Sequence, residues 1–147
     1  PLRENTDLGE DEIRAKVEEK LEWVSLPGIW DKLPSELSGG MRKRAALARA
    51  MALEPAVLFC DEPGAGLDPV TAAGIDRLLL SLNEQQDTTL VVVTHELLSI
   101  ERLDGRLIML DGGRVVYDGT VREAREDPRP QLWSFFHPAD AGQENEP

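Results

Sequence analysis

Leu37-Ser38-Gly39-Gly40 and, further along, Val57-Leu58-Phe59-Cys60-Asp61-Glu62-Pro63 are the two stretches that decide how this chain is read. In the first, two glycines open a helix after a serine. A helix N-terminus presents unpaired N–H groups and the positive end of the helix dipole, and glycine lets an anion come close. In the second, a short apolar run ends in adjacent carboxylates, the pattern of a buried parallel strand delivering acids at its C-terminal edge, where ligands of open α/β sheets collect. A phosphate-sensing turn and a carboxylate pair suited to magnesium and water together describe part of an ATP-hydrolysing site. The loop that would hold the phosphates, G-x-x-x-x-G-K-[ST], does not occur in the 147 residues.

Outward from these stretches the chain alternates helices and strands. Ile13, Val17, Leu21 and Val24 recur at helical spacing and predict a surface helix over 10–24, closed near Pro27-Gly28. Residues 29–36 read as a connector. Met41 to Leu53, rich in Ala, Leu, Met and Arg, predicts the helix after the glycines, and Pro55 ends it. The bland reading of that turn is an ordinary Ser-capped helix. Ala56 to Cys60 and Leu90 to Val93 predict buried strands, and between them Asp68-Pro69 predicts a capped helix whose apolar stripe is Ile75, Leu78, Leu79 and Leu82. His95 comes directly after the second strand and opens a helix ending at Leu103. Arg106 to Leu110 and Arg114 to Tyr117 flank Asp111-Gly112-Gly113 and predict a β-hairpin.

Leu37 to Gly40, Asp61-Glu62-Pro63, Gly66-Leu67-Asp68 and Thr94-His95-Glu96 occur in that order, and from about Leu33 to about Thr120 the chain resembles the C-terminal portion of an ABC-transporter ATPase subunit. The resemblance implies an α/β fold: a partial P-loop (RecA-like) ABC ATPase with a truncated helical signature subdomain and a C-terminal β-hairpin, its Walker A strand and loop absent. It implies three segments: 1–54, a helical subdomain with the signature turn and helix; 55–126, a partial ATPase core; and 127–147, a tail. The cofactors implied are ATP and Mg²⁺. By the same resemblance Asp61 is the Walker B carboxylate, holding Mg²⁺ through water, since that ion dehydrates reluctantly. Glu62 is the general base for the attacking water, and His95 is the switch histidine on the γ-phosphate. Asp68 is the D-loop aspartate of a dimer interface; its plainer role is the N-cap already noted. Ser38, Gly39 and Gly40 would cover the ATP held by the partner subunit of a head-to-tail dimer. Met41 stands where the commonest family signature has Gln. His95-Glu96 is followed by Ser99 rather than a second His, so a zinc helix does not fit.

The run from Ser38 to Arg44, with the segments at 61–69 and 94–97, is similar to the branch that energises bacterial phospholipid trafficking. That likeness implies an integral-membrane permease, an Mce-type substrate-binding protein and a place at the cytoplasmic face of the inner membrane. The groove for the permease would lie in the region from Leu2 to Leu33. A net charge of −12 argues against nucleic acid as a partner, and therefore against a DNA-repair or translation ATPase of the same family. No apolar run is long enough for direct membrane insertion. Cys60, the single cysteine, reads as a small buried side chain.

The extent of the chain admits two readings. Either it is a piece of a conventional transporter ATPase, or it is a non-catalytic module that docks on a full-length one and lends its signature turn. Without the P-loop strand, groups left unpaired between the strands at 90–93 and 106–110 would cost about 1–3 kcal/mol each, against a typical net stability of about 5–15 kcal/mol. The isolated chain is therefore expected to fold poorly and not to hydrolyse ATP. The aromatic cluster Leu132-Trp133-Ser134-Phe135-Phe136 must pack, with docking on its own domain favoured over contact with a partner subunit. The final ten or so residues are expected to be disordered.

Overall fold

A computed structural model describes residues 1–138. The expected disorder at the C-terminus concerns residues that, but for Pro138, lie outside this range. The chain divides into two compact units at Thr94/His95, described in turn.

The first unit, residues 1–94, begins with the short α1 (Leu2–Asn5) and α2 (Glu10–Trp23). Glu10, Asp11 and Glu12 favour the positive end of the α2 dipole. The Glu12 carboxylate also accepts the Gly9 N–H at 2.8 Å. Ile13, Leu21 and Val24 are buried, as the spacing predicts. Lys20, buried on the same helix, bonds Glu19 and Glu54 at 3.0 Å each, tying α2 to the end of the next helix.

That helix, α3 (Gly39–Ala50), starts two residues earlier than its composition predicts, because the Ser38 hydroxyl accepts the Met41 N–H at 3.2 Å and brings both glycines into the first turn. A 3₁₀ turn, Met51–Leu53, prolongs it. Then come β1 (Val57–Asp61), α4 (Pro69–Gln86) and β2 (Thr89–Val93). The strands pair in parallel, from Val57 opposite Thr89 to Asp61 opposite Val93. α4 carries the core stripe: Ile75, Leu79 and Leu82 are wholly buried. It packs against both α3 and β2.

The expectation that both strands are buried is corrected by the structure. Leu58 and Cys60 face the side chains of α3 and α4 and are buried, whereas Phe59 is 75 % exposed, and Val57, Val91 and Val93 are exposed beside it. Side chains alternate across a strand, so a helical layer on one side covers only every second residue. Among the described residues none covers the other face.

The second unit contains α5 (Leu97–Leu103), β3 (Arg106–Asp111), β4 (Arg114–Thr120), α6 (Val121–Glu126) and α7 (Pro130–Phe136). The predicted hairpin is present. Gly112 and Gly113, both at positive φ, form the two-residue turn, and Arg106 grips Asp118 by two bonds of 2.7 Å across the strands. β3 and β4 form a sheet separate from β1 and β2. Leu132 and Phe136 of α7 join Ile100, Tyr117, Val121 and Ala124 in one core, so the aromatic segment docks on its own unit. Trp133 remains half exposed and stacks on His137.

Helices pack across both 54/55 and 126/127. α3 rests on both α2 and α4, which joins 1–54 to the rest of the first unit, and α7 packs on α6, which keeps the start of 127–147 within the second unit.

Candidate functional site

The signature turn is built from contacts within the first unit. Ser38 takes an extended backbone and caps α3, and the Arg42 guanidinium donates to the Leu37 carbonyl at 2.8 Å, holding the residue before the cap. Of the two glycines, Gly40 has a packing reason: a Cβ there would come within 2.7 Å of the Thr71 methyl. At Gly39 the same atom would meet Leu67 at an ordinary 3.5 Å. Packing thus accounts for the missing Cβ at Gly40 but not at Gly39.

Asp68 caps α4, accepting the Val70 and Thr71 N–H groups at 3.1 and 3.0 Å and the Thr71 hydroxyl in a short bond. The Thr71 hydroxyl, then its N–H, hold the Asp68 carboxyl below the usual carboxylate range. Thr71 therefore touches both motifs, its hydroxyl on Asp68 and its methyl against Gly40. The Ser38 turn and Asp68 are brought together.

Asp61, the last residue of β1, lies exposed on the same strand face as Phe59. Glu62 comes next in the left-handed region, φ 45°, which costs a non-glycine residue about 1–3 kcal/mol and occurs chiefly where surroundings enforce it. The enforcing contacts are clear. The Glu62 N–H donates to Val93 at 2.9 Å, its carbonyl accepts from Ala65 N–H at 3.2 Å and from the Lys43 ammonium at 2.9 Å, and its Oε2 accepts the Thr94 hydroxyl at 3.1 Å. Backbone strain and a fixed carboxylate coincide at the residue expected to act as base.

His95 begins the second unit immediately after Thr94 and is exposed, and Glu96 takes the N-cap position of α5. Cys60 is buried, and burial pushes its thiol up, away from the reactive thiolate.

Among the described residues no cluster of three or more His, Cys, Asp or Glu side chains could cage a metal. A carboxylate pair of this kind fits Mg²⁺, which keeps several waters and takes further oxygens from phosphate rather than from an all-protein cage. Two residues of consequence carry no sequence signal for their contacts. Lys43 sits in a basic run that reads simply as helix, and Thr94 sits in a motif whose interest centres on His95. Each contact joins residues far apart in the chain.

Comparison with known proteins agrees with this geometry. Residues 1–65 match the family model described as ABC transporter. A probable ribonucleotide transport ATP-binding protein, mkl, of Mycobacterium leprae is 54 % identical over 95 residues, 65 % of this chain and 27 % of its own length. A methionine import ATP-binding protein, MetN, of Latilactobacillus sakei is 40 % identical over 129 residues, 88 % and 38 % of the respective chains. The chain thus spans well under half the length of these curated relatives. Among solved structures, cbiO1 of Clostridium perfringens, part of the ABC transporter complex cbiONQ, superposes with a TM-score of 0.76 at 30 % identity, covering 95 % of this chain and 56 % of that one. An ATP-binding cassette of an ABC transporter in its ADP conformation gives 0.75 at 25 % identity over 90 % and 52 %.

Proposed function

We propose that this chain, a portion of an ABC-transporter ATP-binding domain, contributes to ATP hydrolysis in two composite sites of a head-to-tail dimer. The observation that carries the reading is Glu62. It is a carboxylate at the end of a parallel strand, its left-handed backbone held by hydrogen bonds to Val93, Ala65 and Lys43 and its side chain by the Thr94 hydroxyl. Asp61 would hold Mg²⁺ through water, and that ion, when bound, neutralises phosphate charge. Glu62 orients the attacking water and takes its proton. His95 donates to the γ-phosphate, stabilising charge there. Ser38, Gly39 and Gly40, at the α3 N-terminus, act on the nucleotide held by the partner subunit. Asp68, beside that turn, stands at the dimer interface.

The coupled partner is an integral-membrane permease. A groove of about 420 Å³ on the helical part of the first unit, lined by Leu2, Ile13, Val17, Trp30 and Ala52 among others, suits an apolar helix edge from such a partner. No described helix is long and apolar enough to cross a membrane; in this reading the permease makes the membrane contact, with the ATPase at its cytoplasmic side. The cargo we assign is lipid, supplied with an Mce-type protein, on the strength of the Ser38–Arg44, 61–69 and 94–97 segments. The names of the mycobacterial and lactobacillal relatives carry other cargoes, ribonucleotide and methionine.

The test is ATP turnover by the intact subunit carrying this sequence. Glu62→Gln should reduce it by about 10²–10⁴-fold while ATP binding persists. Undiminished turnover in that variant would remove Glu62 from the chemistry.

A further inference from the structure

Lys43 stands five residues beyond the Ser38 cap, one turn into α3, and its side chain leaves the helix to reach a residue in another part of the unit. Its ammonium donates to the Glu62 main-chain carbonyl at 2.9 Å and is half-buried there. A flexible lysine side chain loses rotamer freedom when fixed in this way. What the contact secures is specific.

Without Lys43, the Glu62 peptide keeps its N–H bond to Val93 and the 3.2 Å bond from Ala65. The shorter of the two bonds to its carbonyl, and the charged one, is lost. Charge-assisted hydrogen bonds are about twice as strong as neutral ones. Since φ at Glu62 is 45°, relaxation of this peptide toward the ordinary negative region would swing the Cα–Cβ bond and carry the carboxylate away from the Thr94 hydroxyl at 3.1 Å. Thr94 holds the tip of the side chain; Lys43 holds its root.

We propose that Lys43 is a positioning residue for Glu62, its ammonium clamping the carbonyl so that the left-handed peptide aims the carboxylate. The clamp also joins two functional elements. Lys43 and the Ser38 cap share one helix, so a displacement of α3 as its N-terminus closes on one nucleotide reaches, through this side chain, the peptide that aims the carboxylate serving the other. This inference rests on Glu62 being the base.

Lys43→Met in the intact subunit removes the donor while keeping a long apolar side chain, and Lys43→Arg restores a donor. Small displacements of a reacting group can cost about 10²-fold. The methionine variant is expected to lose about 10–100-fold in kcat with the ATP KM within about twofold of wild type, and the arginine variant to recover most of that loss. A merely structural tie would lower both parameters or the amount of folded protein instead. A Lys43→Met kcat within twofold of wild type, a loss shared by ATP affinity, or failure of arginine to restore kcat would each overturn the proposal. Glu62→Gln run in parallel separates the two readings. If it abolishes turnover while Lys43→Met matches wild type, the clamp alone is wrong; if it leaves turnover intact, the assignment of Glu62 falls and the clamp with it.

Discussion

The signature turn and the carboxylate strand lie in the same unit but stand on different footings. The turn is completed by its own chain: Ser38 caps α3, Arg42 holds Leu37, and Gly40 fits against Thr71. The strand is completed on one side only. Leu58 and Cys60 pack under helices, while Phe59, Val57, Val91 and Val93 form an open apolar face beside Asp61. An apolar face of this size is ordinarily covered. The difference separates a turn whose contacts are all made within the unit from a strand with one apolar face open among the described residues.

Of the perturbations that bear on that contrast, the largest concerns the support common to both elements. Leu79→Ala, in the wholly buried stripe of α4, should cost about 2–5 kcal/mol in chemical denaturation of the first unit. A much smaller loss would mean that the helical layer under the strand is loosely packed. Next come the glycines. Gly40→Ala should destabilise the unit by about 1–3 kcal/mol through its clash with Thr71, and Thr71→Ser, which removes the methyl and keeps the hydroxyl on Asp68, should relieve it. Gly39→Ala should instead stabilise α3 by about 0.5–1 kcal/mol while lowering ATP turnover in the intact subunit. Equal effects at the two glycines would erase the distinction between packing and ligand.

Phe59→Ser probes the open face. In the isolated chain it should change stability by less than about 0.5 kcal/mol, as exposed positions do, and should reduce aggregation measured by light scattering. A large destabilisation would show that Phe59 is packed after all. The smallest effect lies in the second unit. The Arg129 side chain, with its N–H, holds the Asp127 carboxyl down to about 2. A folded-state value below the unfolded one adds stability above the unfolded value, near 4, and loses it as pH falls toward 2. Asp127→Asn should flatten that part of the acid-unfolding curve, and an unchanged curve would argue against the ion pair.

Most of the fold is legible in the sequence because it rests on local rules. The α2 and α4 stripes, the Asp68-Pro69 helix start and the Gly112-Gly113 hairpin come from spacing, capping and turn chemistry that a few neighbouring residues determine. The illegible part is non-local. β1 reads as a fully buried strand because its composition is that of one, yet which face is covered depends on what packs there. Gly40 reads as a ligand position because the Thr71 methyl lies in a different helix, and Lys43 reads as a helix former because its carbonyl partner is nineteen residues away. Of the site itself, Asp61, Glu62 and the Ser38 turn are visible as motifs; the contacts that fix Glu62 are not.

The central claim, that the signature turn and the carboxylate pair serve opposite nucleotides, is tested most directly with mixed dimers of intact subunits. One pairs a Glu62→Gln subunit with a Ser38→Arg subunit; the other pairs a subunit carrying both changes with wild type. The account predicts that the first keeps one unaltered site and measurable ATP turnover, whereas the second has both sites damaged and shows far less. The reverse ranking would place both elements at one nucleotide and contradict it.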